Sequence, residues 1–123
     1  MARKMTTVLL SGSTRGKPIK VAATATAGTV MHATGVSASV IDQVWLKAHN
    51  SSGTARNLTI EFGGVTDPDD LIIKTVSIPA NTLGIWVVEG QPLVGTGSVA
   101  STVAAFASVA DVITISGFVV RIT

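Results

Sequence analysis

Few side chains in this sequence can transfer a proton, hold a metal or attack a substrate. Among 123 residues there are two His, seven acidic residues, no Cys and no Tyr. Without Cys there is no disulfide, no thiolate metal site and no thiol redox chemistry. His32 and His49 stand apart, and no HxH, HxxxH or HExxH spacing brings ligands together. Each reads as a strand residue whose half-buried ring is satisfied by a backbone partner. Asp67, Asp69 and Asp70 flank Pro68 and could offer hard oxygen ligands to calcium. The same residues start a turn, because Pro presets φ and an Asx side chain accepts the following N–H groups. After Gly63-Gly-Val-Thr they read first as the loop into the next strand. Hydroxyls are abundant, yet no G-x-S-x-G elbow sets a Ser beside a base, and Gly95-Thr-Gly is too short for a phosphate loop. Asn50-Ser-Ser and Asn57-Leu-Thr have the glycosylation spacing, which carries no consequence without an export signal. Trp45 and Trp86 could stack on sugar rings; burial in the core or in an interface is the competing use of so few aromatic residues. The expectation is no catalytic group, no cofactor and no resident metal. An enzyme would need a carboxylate cluster with His that this spacing does not supply.

Composition narrows the class further. A mean hydropathy of +0.53 with 13% charged residues is high for a small chain that must cover its own surface. The longest apolar run, near Leu83 to Val88, is the length of a strand and far short of the ~20 residues a membrane helix needs. The basic, apolar start from Met1 to Leu10 is cut off by Ser11-Gly-Ser-Thr-Arg-Gly-Lys, too soon for a secretory signal. The excess of apolar residues therefore predicts that neighbouring subunits cover part of the surface. Net charge is +2, but Arg3, Lys4, Arg15, Lys17 and Lys20 all precede the first acid, Asp42. Residues 1–20 form a basic arm or first strand. It either guards a sheet edge or docks on an acidic partner. Cations so dispersed, without interleaved aromatics, do not read as a nucleic-acid site.

Runs of β-type residues recur along the chain between clusters of Gly, Pro, Asn, Asp and Ser, and no stretch holds a 3.6-residue period. Strands are predicted at Thr6–Leu10, Pro18–Thr24, Thr29–Ala33, Val40–His49, Arg56–Phe62, Leu71–Ile78, Thr82–Val88, Val99–Ala107 and Asp111–Ile122. The fold class is all-β, an antiparallel β-sandwich of about eight or nine strands formed by residues 21–123 as one domain. Leu58, Ile60 and Phe62 alternate with Asn57, Thr59 and Glu61, which predicts one face in the core and one in water. Val44, Leu46 and Ala48 alternate likewise upstream, and Asn50-Ser-Ser-Gly-Thr suggests a hairpin between the two strands. In the last strand the apolar parity changes between Ile115 and Phe118, predicting a bulge or bend at Gly117. Leu83–Val88 and Val99–Phe106 are apolar on both faces, so one face of each is expected at an interface.

The stretch Val44-Trp-Leu-Lys-Ala-His-Asn-Ser-Ser-Gly-Thr-Ala-Arg-Asn-Leu-Thr-Ile-Glu-Phe-Gly-Gly, followed by Asp67-Pro-Asp-Asp-Leu, Ser77-Ile-Pro-Ala, Ala104-Ala-Phe-Ala and Val112-Ile-Thr-Ile-Ser-Gly-Phe-Val-Val-Arg-Ile, resembles a family of small virion proteins of tailed bacteriophages. The resemblance spans roughly Val40 to Thr123 and rests on structural motifs. It implies a jelly-roll-like sandwich that decorates or cements a capsid without catalysis. It further implies a homo-oligomer, a trimer before a dimer, bound to the major capsid protein on the virion surface after synthesis in the bacterial cytoplasm. Neither nucleic acid nor membrane is an expected partner. Within that reading Ile85, Trp86 and Val87 are the expected subunit interface; the segment before Lys20 lies outside the resemblance, and Arg3, Lys4, Arg15, Lys17 and Lys20 are the expected capsid contact on charge alone. The competing reading is a surface or tail-associated host-binding module, with Trp45 or Trp86 on a glycan and Asp67 to Asp70 holding calcium.

Overall fold

A computed structural model describes residues 3–123, which form nine strands and no helix. One sheet, A, contains β1 (Met5–Leu9), β2 (Ile19–Lys20), β4 (Ile41–Asn50), β7 (Thr82–Leu93) and β9 (Ile113–Ile122). The other, B, contains β3 (Thr29–Ala33), β5 (Arg56–Phe62), β6 (Leu71–Ile78) and β8 (Thr102–Ala107). The order is β1-β9-β4-β7 in A, with β2 following β1 along the same side of β9, and β3-β8-β5-β6 in B. All pairings are antiparallel. With β2 left aside, first strand pairs with last, second with seventh, third with sixth and fourth with fifth. That nesting is a long hairpin rolled into two layers, and the all-β sandwich expected from the alternation is the fold observed.

The core lies between the layers. β4 alternates strictly, with Asp42, Val44, Leu46, Ala48 and Asn50 inward. They meet inward side chains of sheet B such as Met31, Leu58, Ile60 and Val103, which solvent does not reach. Full burial of each such Leu or Ile is worth about 1.5–3 kcal/mol. β4 and β5 do not form the expected hairpin: β4 pairs with β7 and β9, and β5 with β6 and β8. Two neighbouring strands with the same alternation can bury their apolar faces against each other across the sandwich as well as beside each other. Asn50 fixes the crossing. Its Nδ2 donates to the carbonyls of Thr54 and Ile78 (both 3.0 Å), while Oδ1 accepts from Ser52 N–H and Oγ–H.

Other expectations are corrected by the register. β9 pairs with β4 without a break from Ile113 to Ile122, so there is no bulge at Gly117. Phe118, Val120 and Ile122 therefore point away from the core. Gly117 is required for a different reason, since a Cβ there would stand 1.9 Å from the Trp45 carbonyl oxygen. The strand expected at Pro18–Thr24 shrinks to Ile19–Lys20. Ala22 and Ala23 donate their N–H groups to Thr29 Oγ1 (3.2 and 3.1 Å), so this backbone is satisfied by a side chain and continues as a loop over sheet B. β7 runs on to Leu93 through Pro92, which is tolerated because β7 is an edge strand and needs no outward N–H donor there. β8 starts at Thr102, since Thr96 Oγ1 draws the N–H groups of Ser98 and Val99 into a turn.

Candidate functional site

The outer face of sheet A carries large apolar side chains among polar ones such as Thr7, Gln43 and Lys47. Register sets Met5–Ile122–Ile41 in one row and Leu9–Phe118–Trp45 in another. Trp86 stands beside them across from Lys47. Trp45 stacks on Phe118 (centroids 5.7 Å, planes at 11°), and Trp86 meets Trp45 edge to face at 5.9 Å. Lys47 Nζ lies 5.0 Å from the Trp86 ring centre, a cation–π contact. Gly90, at φ 71°, keeps room for the Trp45 ring, which a Cβ would approach to 3.0 Å. The Trp45 indole N–H is buried and has no acceptor among the described residues. Trp86 remains 41% exposed, Met5 70% and Leu83 95%. Trp45 is half-buried, with Phe118 stacked on it and Trp86 and Gly90 at its side, and Trp86 is the more exposed of the two indoles expected to stack on a sugar.

Of the residues expected at a subunit interface, Ile85 and Trp86 are exposed, and Val87 packs against the core. The five cations expected at the capsid contact are all exposed. They do not sit on a free arm: β1 is hydrogen bonded along β9, Lys4 exchanges backbone hydrogen bonds with Thr123, and Arg3 Nη1 donates to Ser39 O at 3.4 Å. The second segment read as an interface strand, Val99–Phe106, has a different fate. β8 lies inside sheet B, and Val103, Ala104 and Ala105 are buried within the chain itself. Asp67 pairs with Lys74 Nζ (2.6 Å), and Asp70 Oδ2 accepts from Thr66 N–H (3.0 Å), closing the loop before β6. Among the described residues no three acidic or His side chains gather in a way that could hold a metal ion.

Two carboxylates escape notice in the sequence because their surroundings come from distant segments. Asp42 is fully buried between the sheets. Arg121 grips it in a bidentate pair (Nε to Oδ1 2.8 Å, Nη2 to Oδ2 2.9 Å), and His32 Nε2 lies 2.7 Å from Oδ2. His32 Nδ1 accepts from Ser11 N–H (3.1 Å), so Nε2 carries the ring proton and donates to Asp42. Burial pushes the Asp42 carboxyl up, but the hydrogen bonds from Arg121 and His32 outweigh it and hold the group below its ordinary 3.8. The Asp42 carboxylate in turn raises the Arg121 guanidinium, against the opposing effect of burial. The cluster joins β3, β4, β9 and the Ser11 loop in one hydrogen-bonded unit.

Glu61 is the other buried carboxylate, and here the expected water-facing row is corrected. Thr59 and Glu61 do point outward from sheet B, yet both are buried, because residues 24–28 fold over them. Gly28 N–H donates to Glu61 Oε1 (2.7 Å) and Thr26 Oγ1–H to Oε2. None of the ion pairs among the described residues involves Glu61. Beside it opens a cleft of about 260 Å³, bounded by the 24–26 loop, Phe106 of β8 and the Asp67–Lys74 pair. At its wall Thr75 adopts φ 53°, a left-handed conformation uncommon for a β-branched residue, and its N–H donates to Thr59 Oγ1 (3.0 Å). The alternation around Leu58, Ile60 and Phe62 could not reveal this cover, since the loop comes from more than thirty residues upstream.

Compared with family models, curated proteins and solved structures, the chain finds no match.

Proposed function

We propose that this protein is a non-enzymatic virion structural protein of a tailed bacteriophage, which oligomerises and binds the outer face of the head as a decoration or cement protein. The observation that carries the reading is the outer face of sheet A, where Met5, Leu9 and Trp86 stand exposed beside the outward row Phe118, Val120 and Ile122 of β9. Large apolar side chains grouped on one exposed face mark a contact with another macromolecule. The nested pairing of first strand with last also supports the jelly-roll-like reading. In this proposal Trp86 and Ile85 meet a neighbouring copy, a trimer being favoured, and Val87 supports them from the core side. Arg3, Lys4, Arg15, Lys17 and Lys20 lie exposed on the β1–β2 side and face the major capsid protein. The shell is stabilised because the protein binds its mature lattice more tightly than an immature or broken one.

Light scattering on the purified protein, followed by co-sedimentation with cognate empty shells, tests this. A discrete trimer or dimer that sediments with shells is the expected result, and Trp86→Ala is expected to shift the mass toward monomer. A monomer that stays in the supernatant overturns the proposal.

A further inference from the structure

We propose that the cleft on the outer face of sheet B binds a neutral sugar ring, with Glu61 as its principal hydrogen-bond acceptor. This goes beyond the decoration reading and does not depend on it, because the cleft and the aromatic face lie on opposite sides of the sandwich. The chemistry of the lining selects the ligand class. Each Glu61 oxygen takes one internal donor, Gly28 N–H or Thr26 Oγ1–H, and keeps further lone pairs for a ligand. Two neighbouring hydroxyls of a sugar match a carboxylate in that state. Thr59 Oγ1 accepts from Thr75 N–H, which leaves its own hydrogen free to donate. Phe106 contributes an apolar ring for the C–H face of a pyranose.

An anionic ligand would meet Glu61, a carboxylate that none of the ion pairs among the described residues neutralises, while Asp67 and Lys74 offset each other at the rim. A polyhydroxylated neutral ring finds both donors and acceptors without opposing charge. The volume, about 260 Å³, falls below the range of drug-sized pockets and suits a single ring. The left-handed backbone at Thr75 lies in the bulge of β6 opposite Thr59, at the wall of the cleft. Conformations of this kind concentrate at binding sites, and here the residue is held by the same Thr59 hydroxyl that lines the cleft.

The test is titration of the 15N-labelled full chain with glucose, galactose, mannose and N-acetylglucosamine, read by amide shifts. The expected result is saturable movement of Thr26, Gly28, Thr59 and Thr75 amides with at least one hexose. Glu61→Gln is expected to weaken binding roughly ten- to hundred-fold, as for a lost hydrogen bond to a charged group. Because Glu61 is buried, Phe106→Ala, which removes the ring assigned to the pyranose face, is expected to weaken binding at least several-fold and decides the matter if Glu61→Gln does not fold. Absence of shifts with every hexose overturns the proposal. So do shifts that map to Trp45, Trp86 and Phe118, binding unchanged in the folded variants, or saturable binding of a simple alkylammonium ion in place of the sugars.

Discussion

Asp42 and Glu61 are both carboxylates shut away from solvent, and they are handled in opposite ways. Asp42 lies between the sheets and is matched by a guanidinium and an imidazole N–H, so its charge is neutralised where it sits. Glu61 lies on the far side of sheet B under a loop, and receives only a backbone N–H and a hydroxyl. A carboxylate paired with a guanidinium and closed between the sheets is neutralised and out of reach of a ligand. One held by neutral donors beside a cleft keeps its charge and its spare lone pairs. The first arrangement ties elements together; the second leaves a place for something to bind.

The sharpest test of this contrast makes the same isosteric change at both sites. Asp42→Asn turns an amide toward Arg121 and leaves a guanidinium facing no charge, so it is expected to cost about 3–5 kcal/mol in urea unfolding. His32→Leu comes next. It strips the acceptor from Ser11 N–H and one donor from Asp42, with an expected loss of about 1–3 kcal/mol. Hydrogen exchange should show the Ser11 amide opening faster in that variant.

Acid provides a smaller and graded effect. The Asp42 carboxyl is depressed in the folded state, with burial opposing and Arg121 and His32 prevailing. Its contribution is therefore complete above its unfolded value, near 3.8, and is lost as pH falls through the lower folded value. Wild type should lose stability more steeply than Asp42→Asn below that point, by about 1.4 kcal/mol for each unit of depression. Equal slopes in the two proteins would show that Asp42 is not held as described. The smallest change is expected from Glu61→Gln, which keeps an acceptor for Gly28 N–H and strands no cation, at about 0.5–1.5 kcal/mol. A loss as large as that of Asp42→Asn would erase the distinction between the two sites.

The fold was legible where it depends on local alternation and turn chemistry. β3, β5 and β6 occupy the residues that their β-branched content and flanking turns predict, and the sandwich class follows from strands of that length. Pairing was less legible. The β4–β5 hairpin failed because alternation says which side of a strand is apolar, but not whether its neighbour in sequence lies beside it or across the core. The Gly117 reading failed in a related way: a change in apolar parity has two explanations, a bulge or an apolar outer face, and the unbroken register with β4 selects the second. Glu61 looked solvated because the loop that covers it is remote in sequence. Arg121 and Asp42, 79 residues apart, carry no mutual signal at all.

By itself, then, the sequence determined an all-β chain without thiol chemistry, with strands at predictable places and more apolar surface than one sandwich needs to bury. Those properties arise from composition and from interactions between residues close in the chain. The tertiary structure decided which surface is left apolar, which carboxylate is neutralised and which faces an open cleft. Each of these depends on which distant segment lies across from a strand, and that is settled by burial of the whole core at once, which no short window of residues records.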